Sequence, residues 1–152
     1  MIYKIEKAQK TDAESIAQFQ IDMAWETENM QLPKETIFNG VEAVFDRPNL
    51  GQYFVAKDGD KLLASLLITY EWSDWRNVQV WWIQSVFVQI EYRRKGVFTA
   101  FYNHLKDIVV KDKHIGGLRL YVDKTNVSAQ KTYKKLGMNG EHYQFFEWMK
   151  EY

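Results

Sequence analysis

Cysteine is absent from this chain of 152 residues, which excludes disulfide bonds, thiolate zinc sites and a cysteine nucleophile. An excess of either charge is absent too, because 20 Lys and Arg residues balance 20 Asp and Glu residues. Nucleic acids and anionic membranes are bound by strongly basic surfaces. We therefore expect neither of them as a partner.

Long apolar runs are also lacking, since no stretch approaches the roughly 20 residues that span a bilayer. The first ten residues, MIYKIEKAQK, carry lysines among their apolar positions and do not resemble a signal peptide. We expect a cytoplasmic protein. His104, His114 and His142 lie far apart without the spacing of metal ligands, so we expect no metal.

Aromatic residues are abundant, with six Trp, nine Tyr and nine Phe. A core of this size cannot hold them all, so some are expected to line a pocket or an interface. An interface of this kind is compatible with a homodimer. The length suits one domain, and no repeat or linker divides residues 1–152.

Hydrophobic periodicity predicts an α/β sandwich of order βααβββαβαβ. Its mixed, mostly antiparallel sheet is flanked by helices, and the crossover helix after Gly96 makes its two flanking strands parallel. A capping box of Thr11 and Glu14 is expected to open the first helix. The predicted strands are 2–8, 53–57, 62–70, 78–89, 118–122 and 142–149, and the later helices follow Pro33, Gly96 and Asn126.

The segment 86–105, VFVQIEYRRKGVFTAFYNHL, predicts an anion site where an apolar strand enters a basic turn before an amphipathic helix. Amides in the first turn of a helix have no internal partner and carry the positive end of the helix dipole. Gly96 lets a ligand approach the backbone, and Arg93, Arg94 and Lys95 add charge. The amides expected to converge on a pyrophosphate are those of Lys95, Gly96, Val97 and Phe98.

The spacing Arg93-x-x-Gly96-x-Phe98 resembles the acyl-CoA pyrophosphate loop of the GNAT superfamily of N-acetyltransferases, usually Arg/Gln-x-x-Gly-x-Gly/Ala. Phe98 departs from that pattern, because a small residue is usual there. Its presence implies either a displaced helix start or a side chain turned into the core.

A second segment, 118–138, resembles the later signature of the same family through Asn126, Ala129, Tyr133, Leu136 and Gly137. Asn126 suits a helix N-cap, Ala129 permits close packing beside a ligand, and Gly137 suits the left-handed residue that ends a helix. The predicted element order is also similar to that of the family.

The resemblance implies acetyl-CoA as the acyl donor and a parallel strand pair that splays apart to admit its pantetheine arm. It further implies a nearby strand amide that stabilises the oxyanion. Backbone groups of Val86 and Val88 would pair with the pantetheine amides. The other residues implied in coenzyme binding are Arg93, Arg94, Lys95, Gly96, Val97, Phe98, Thr99, Asn126, Ala129 and Tyr133.

Tyr133 matches the family tyrosine that often protonates the departing thiolate, although packing in the core is the alternative. A phenol has a pKa of about 10 against about 8.5 for a thiol, so this transfer is mildly uphill. In some family members a glutamate on the central strand acts as the general base, and this chain has Trp82 at that position. We therefore expect Glu26, beside Trp25, or water to accept the proton from the amine.

Two segments predicted as loops, 25–31 and 71–77, combine carboxylates with tryptophans. Carboxylates attract an ammonium group and aromatic faces hold it, which predicts a small cationic amine or an amine-bearing peptide end as acceptor. The acids are Glu26, Glu28, Glu71 and Asp74, and the expected acceptor contacts are Glu26, Glu28, Trp82 and Tyr143.

Two other functions remain open on the sequence alone. A non-catalytic acyl-CoA-binding or sensing module would keep the anion site without a working acceptor site. An aromatic-surfaced interaction protein would contain a turn that only resembles a phosphate cradle.

Overall fold

A mixed five-stranded sheet organises the chain, and the computed structural model describes residues 3–150. The predicted fold class is confirmed. The strands are β1 Lys4–Lys7, β2 Gln52–Asp58, β3 Lys61–Ser73, β4 Val78–Val88 and β5 Ile115–Arg119. The α-helices are α1 Ala13–Glu28, α2 Lys34–Asp46, α3 Val97–Lys111 and α4 Val127–Lys135.

The strands follow one another across the sheet in chain order, and each pair is antiparallel except β4 with β5. The crossover helix α3 makes that last pair parallel, as predicted. Pairing of β4 with β5 ends where Trp82 lies opposite Arg119. The rest of β4, which carries Val86 and Val88, runs on beside β3.

Helices cover both faces of the sheet. On one face, α1 and α2 bury Ile16, Phe19 and Val41 in a cluster with Tyr53 and Val55. On the other face, α3 buries Phe101 and Leu105 completely. The apolar side chains of α1 and α3 therefore pack against the sheet, since buried apolar area is the main stabilising term.

The chain divides into two compact units, a first one up to Arg119 and a second one from Leu120 on. The first unit contains the sheet with α1, α2 and α3, and the second contains α4 and the segment after it. No helix within residues 3–150 has the length and apolar character needed to cross a membrane.

The predicted strand at 142–149 was wrong, because residues 139–150 take up no regular secondary structure. Within the second unit, the ring of Phe145 stacks on that of Tyr121 with centroids 5.0 Å apart. The aromatic composition favours a strand, yet strand propensity depends on the sheet around it, and the sheet of the described residues consists of β1 to β5.

The start and end of α1 also differ from the prediction. Thr11 and Glu14 do not form the capping box; instead the Gln9 amide donates to Asp12 Oδ2 at 2.9 Å. The nearly buried Asp12 side chain is fixed by Lys57 Nζ at 2.9 Å, a long-range contact that overrides the local signal. Because α1 continues to Glu28, the carboxylates expected in a loop lie in its last turn.

Two strands have boundaries that differ from the predicted ones. The extension of β3 to Ser73 places Glu71 and Trp72 on a strand, not in the predicted loop. β5 begins at Ile115, before the predicted start at residue 118, because the glycine pair at 116–117 is not typical of a strand. A Cβ on Gly116 would lie 2.6 Å from Val78 Cγ2, so the glycine permits the close approach of β5 to β4.

Candidate active site

The turn between β4 and α3 has the backbone geometry of an anion cradle. Arg94 and Gly96 are left-handed, with φ of 60° and 80°, whereas Lys95 between them is not. Alternation of this kind turns successive N–H groups toward one concave spot. The N-cap residue of α3 is Gly96, which has no side chain to cap the helix. The first-turn amides of α3 point toward the turn, as in any α-helix.

One of the two expectations for Phe98, a displaced helix start, is wrong. The helix start is not displaced, because α3 begins at Val97 directly after Gly96. Val97 is buried in the core and Phe98 is partly buried, so a Phe98 side chain turned toward the core stays a prediction. Arg94 and Lys95 are exposed and supply positive charge at the turn.

Arg93 is held by three contacts inside the first unit. Its Nε donates to the Val88 carbonyl and its Nη2 to Glu26 Oε2, both at 2.7 Å. Its guanidinium also lies 5.4 Å from the centre of the Phe87 ring. Arg93 thus connects the turn to β4 and to the last turn of α1. Its guanidinium is engaged in contacts within the protein.

A β-bulge in β4 lies directly before Val86. Ser85 is left-handed with φ of 52°, and the register with β3 shifts between Gln84 and Phe87. Bulges re-aim the backbone and are frequent beside active sites. No sequence signal pointed to this one, since serine has no preference for the left-handed region.

A cavity of about 460 Å³ lies between α1 and α2 and reaches Ser85. It includes Glu28, one of the predicted acceptor contacts, while Glu26 and Trp82 are not among its lining residues. Tyr143 belongs to the second unit, and its acceptor role stays a prediction. The lining residues are Gln20, Met23, Ala24, Thr27, Glu28, Leu32, Thr36, Ile37, Gly40, Val41, Tyr53 and Ser85.

Glu71 is engaged within the sheet and is not an available loop acid. Both of its carboxylate oxygens accept from Arg119 Nη1 at 2.8 Å, and Oε1 also accepts from Trp82 Nε1 at 2.8 Å. The Arg119 and Trp82 hydrogen bonds hold the pKa of Glu71 below its usual value. Trp82, at the position where some family members have a glutamate, therefore serves to fix a neighbouring glutamate.

The tryptophans expected to form an aromatic wall with these acids do not enclose a site in the first unit. Trp72 and Trp75 are 60% and 92% exposed, and Asp74 lies in an exposed turn. Within residues 3–150, no group of three or more His, Cys, Asp or Glu side chains is arranged to hold a metal ion.

Glu71→Gln is expected to lower the free energy of unfolding by about 1 kcal/mol or less near neutral pH, because the ion pair is partly exposed and screened. A lowered pKa stabilises the folded state above the unfolded value of 4.5 and ceases to do so as the pH falls through the folded value. The difference between parent and variant should therefore shrink on acidification. Urea unfolding of both proteins across this range measures it, with the turn variant Asp60→Asn as control.

The second unit confirms the predicted helix boundaries around Tyr133. Asn126 caps α4, its side chain accepting from the Ala129 amide at 3.0 Å, and Gly137 is left-handed with φ of 93°. The Met138 amide closes the helix by donating to the Tyr133 carbonyl at 3.0 Å. Burial raises the pKa of Tyr133 above 10.0, so the phenol is protonated near neutral pH, as a proton donor must be.

Comparison with known proteins gives the family. No curated protein sequence matches the chain. A possible acetyltransferase from Clostridium difficile 630 is 41% identical with a TM-score of 0.91, and the match covers 100% of both chains. A glucosamine-6-phosphate N-acetyltransferase from Arabidopsis thaliana is 18% identical with a TM-score of 0.74 over 99% of this chain and all of the other.

A ribosomal-protein-alanine N-acetyltransferase from Brucella melitensis biovar Abortus 2308 has a TM-score of 0.78 at 13% identity, covering 98% of this chain and 100% of the other. These two distant likenesses concern the fold alone. The model of the acetyltransferase (GNAT) family matches residues 2–138, a range that spans the cradle turn and α4. The chain therefore belongs to the GNAT family of acetyltransferases.

Proposed function

We propose that this protein is an N-acetyltransferase that moves an acetyl group from acetyl-CoA to a primary amine. The observation that carries the proposal is the turn after β4, where left-handed Arg94 and Gly96 directly precede the first turn of α3. Such a turn suits a pyrophosphate, the most highly charged part of the coenzyme near its thioester arm.

The coenzyme is proposed to run from this turn along the end of β4. The amides of residues 95–99 and the exposed charges of Arg94 and Lys95 would bind the pyrophosphate. Backbone groups of Val86 and Val88 would pair with the pantetheine arm, beyond the point where β5 ends its pairing with β4. The Val88 carbonyl already accepts from Arg93, and its second lone pair remains for a ligand amide.

The reaction is a direct transfer without a covalent enzyme intermediate. The neutral amine nitrogen attacks the thioester carbonyl, so that a C–N bond forms and the C–S bond breaks. The amine gives up its proton to Glu26 or water, and the thiolate takes one from Tyr133. The products are the acetylated amine and free coenzyme A.

Both units are proposed to act as one cytoplasmic acetyltransferase domain over residues 1–152. The family model supports this, because its match runs across both units from residue 2 to residue 138. In the first unit lie the cradle turn, Glu26 and Glu28. The second unit contributes the remaining implied coenzyme contacts, Asn126, Ala129 and Tyr133.

Truncation of the donor tests the proposal at its supporting observation. Calorimetry compares acetyl-CoA with S-acetylpantetheine, which keeps the thioester arm but lacks the pyrophosphate. We expect the truncated donor to bind at least about tenfold more weakly, because it forgoes the charge-assisted contacts of the cradle. Equal affinities would show that the pyrophosphate does not bind at the turn.

Glu26→Gln is expected to lower kcat by roughly tenfold, since water takes over part of the proton transfer that the carboxylate performs. The dissociation constant for acetyl-CoA should stay nearly constant, because the Arg93–Glu26 pair is exposed on both sides and weak. Steady-state kinetics and calorimetry give the two quantities separately. A raised dissociation constant with unchanged kcat would make Glu26 a positioning residue for Arg93.

A non-catalytic acyl-CoA-binding or sensing module is the second candidate. Two observations favour it, namely Trp82 at the position of the family glutamate and the engagement of Glu26 and Glu71 in ion pairs. Such a module would bind acetyl-CoA as tightly as an enzyme and release no coenzyme A when amines are added.

A further inference from the structure

The cavity between α1 and α2 carries the most specific chemical information about the acceptor. Its volume of about 460 Å³ lies within the range of small-molecule sites, roughly 300–1,000 Å³. Most of the lining surface is apolar, through Met23 and Ala24 of α1, Ile37 and Val41 of α2, and Leu32 between the two helices. The remaining lining includes the amide and hydroxyl side chains of Gln20, Thr27, Thr36 and Ser85.

Charge in this cavity is confined to one side chain. Of the lining residues, Glu28 alone carries a formal charge at neutral pH, since burial raises the pKa of Tyr53 to about 12. Within residues 3–150 the Glu28 carboxylate enters no ion pair, unlike that of Glu26 two residues before it. The cavity, which is open to solvent at Glu28 and Gly40, thus offers a single unpaired anion beside largely apolar walls.

Gly40 lies in the middle of α2 without a steric reason visible in the fold. A Cβ added there would meet no atom within 4 Å, and the residue lines the cavity. A glycine inside a helix costs about 1 kcal/mol relative to alanine. The missing side chain leaves open space at the cavity wall, which is the one structural consequence that the surroundings show.

We propose that this cavity binds the apolar body of a monoamine acceptor, with Glu28 attracting its ammonium group and Gly40 setting the space available to the body. Glu26, which does not line the cavity, would receive the amine's proton through water. The proposal rests on the proposed acetyltransferase function, because Ser85 joins the cavity to the β4 segment assigned to pantetheine. The lining contains no second carboxylate, so a second ammonium group would lie there without an ion-pair partner, which disfavours diamines.

Hexylamine and hexamethylenediamine form a matched pair of probes, because they share a chain length and differ by one amino group. We expect the coenzyme-loaded protein to bind hexylamine at least about tenfold more tightly than the diamine, as measured by calorimetry. Glu28→Gln should weaken hexylamine binding several-fold, and Glu35→Gln, an exposed carboxylate on α2 outside the cavity, should not.

Gly40→Leu is expected to reduce hexylamine binding by about tenfold or more, because its side chain fills part of the cavity. Ethylamine binding and acetyl-CoA binding should be unaffected, and Asn39→Leu on the same helix outside the cavity lining should behave as the parent. Circular dichroism verifies that each variant is folded.

Preference for the diamine, or equal hexylamine binding by Gly40→Leu and the parent, would overturn the proposal. Failure of the proposed function gives a different result. In that case hexylamine would bind with the expected pattern while no free thiol is released from acetyl-CoA.

Discussion

Gly96→Val is expected to abolish measurable binding of acetyl-CoA while the protein stays folded. Gly96 has φ of 80°, and an added Cβ would meet no protein atom within 4 Å. The variant therefore suffers backbone strain of roughly 1–2 kcal/mol, which a folded domain can tolerate. Its side chain would project beside the first-turn amides of α3, where the pyrophosphate must approach the backbone.

Gly59→Val provides the matched control for this strain. Gly59 is also left-handed, with φ of 60°, and is equally free of neighbours, but it lies in the β2–β3 hairpin turn. Both variants should lose similar stability in urea unfolding, and only Gly96→Val should lose acetyl-CoA binding in calorimetry. Tight binding by a folded Gly96→Val would show that the coenzyme lies elsewhere.

Tyr133→Phe is expected to lower kcat by on the order of a hundredfold, the usual loss when a general acid is removed. The raised pKa keeps the phenol protonated well above neutral pH, so the parent should retain this contribution across roughly pH 6 to 9. Acetyl-CoA binding should change little, because the phenylalanine keeps the ring. Kinetics across that pH range with a saturating amine measure the loss.

Tyr121→Phe is the control for the loss of a phenol in the second unit, since Tyr121 is exposed and stacks on Phe145. It should turn over at the parental rate. If Tyr133→Phe also kept full activity across the pH range, Tyr133 would be a packing residue, the alternative that the sequence left open.

Features of the site that depend on neighbouring residues were predictable from the sequence. The glycine and three cationic residues before an amphipathic helix predict the cradle turn. The N-cap by Asn126 and the helix end at Gly137 follow equally local rules, and both are confirmed.

Features that join distant parts of the chain were not predictable. Arg93 and Glu26 are 67 positions apart, and only the packing of α1 beside the turn brings them together. The network of Glu71, Trp82 and Arg119 depends on the registers of three strands. For the same reason Glu71 was mistaken for a free loop acid, and aromatic residues at 143–148 for a strand.

Release of coenzyme A in the presence of primary amines tests the central claim most directly. Free thiol is followed after hexylamine is added to the protein with acetyl-CoA, and mass spectrometry identifies the amine product. We predict amine-dependent thiol release, one N-acetylated amine for each thiol, and loss of both signals in Gly96→Val. Tight acetyl-CoA binding without release of coenzyme A in the presence of any primary amine would contradict the claim. The protein would then be a coenzyme-binding module.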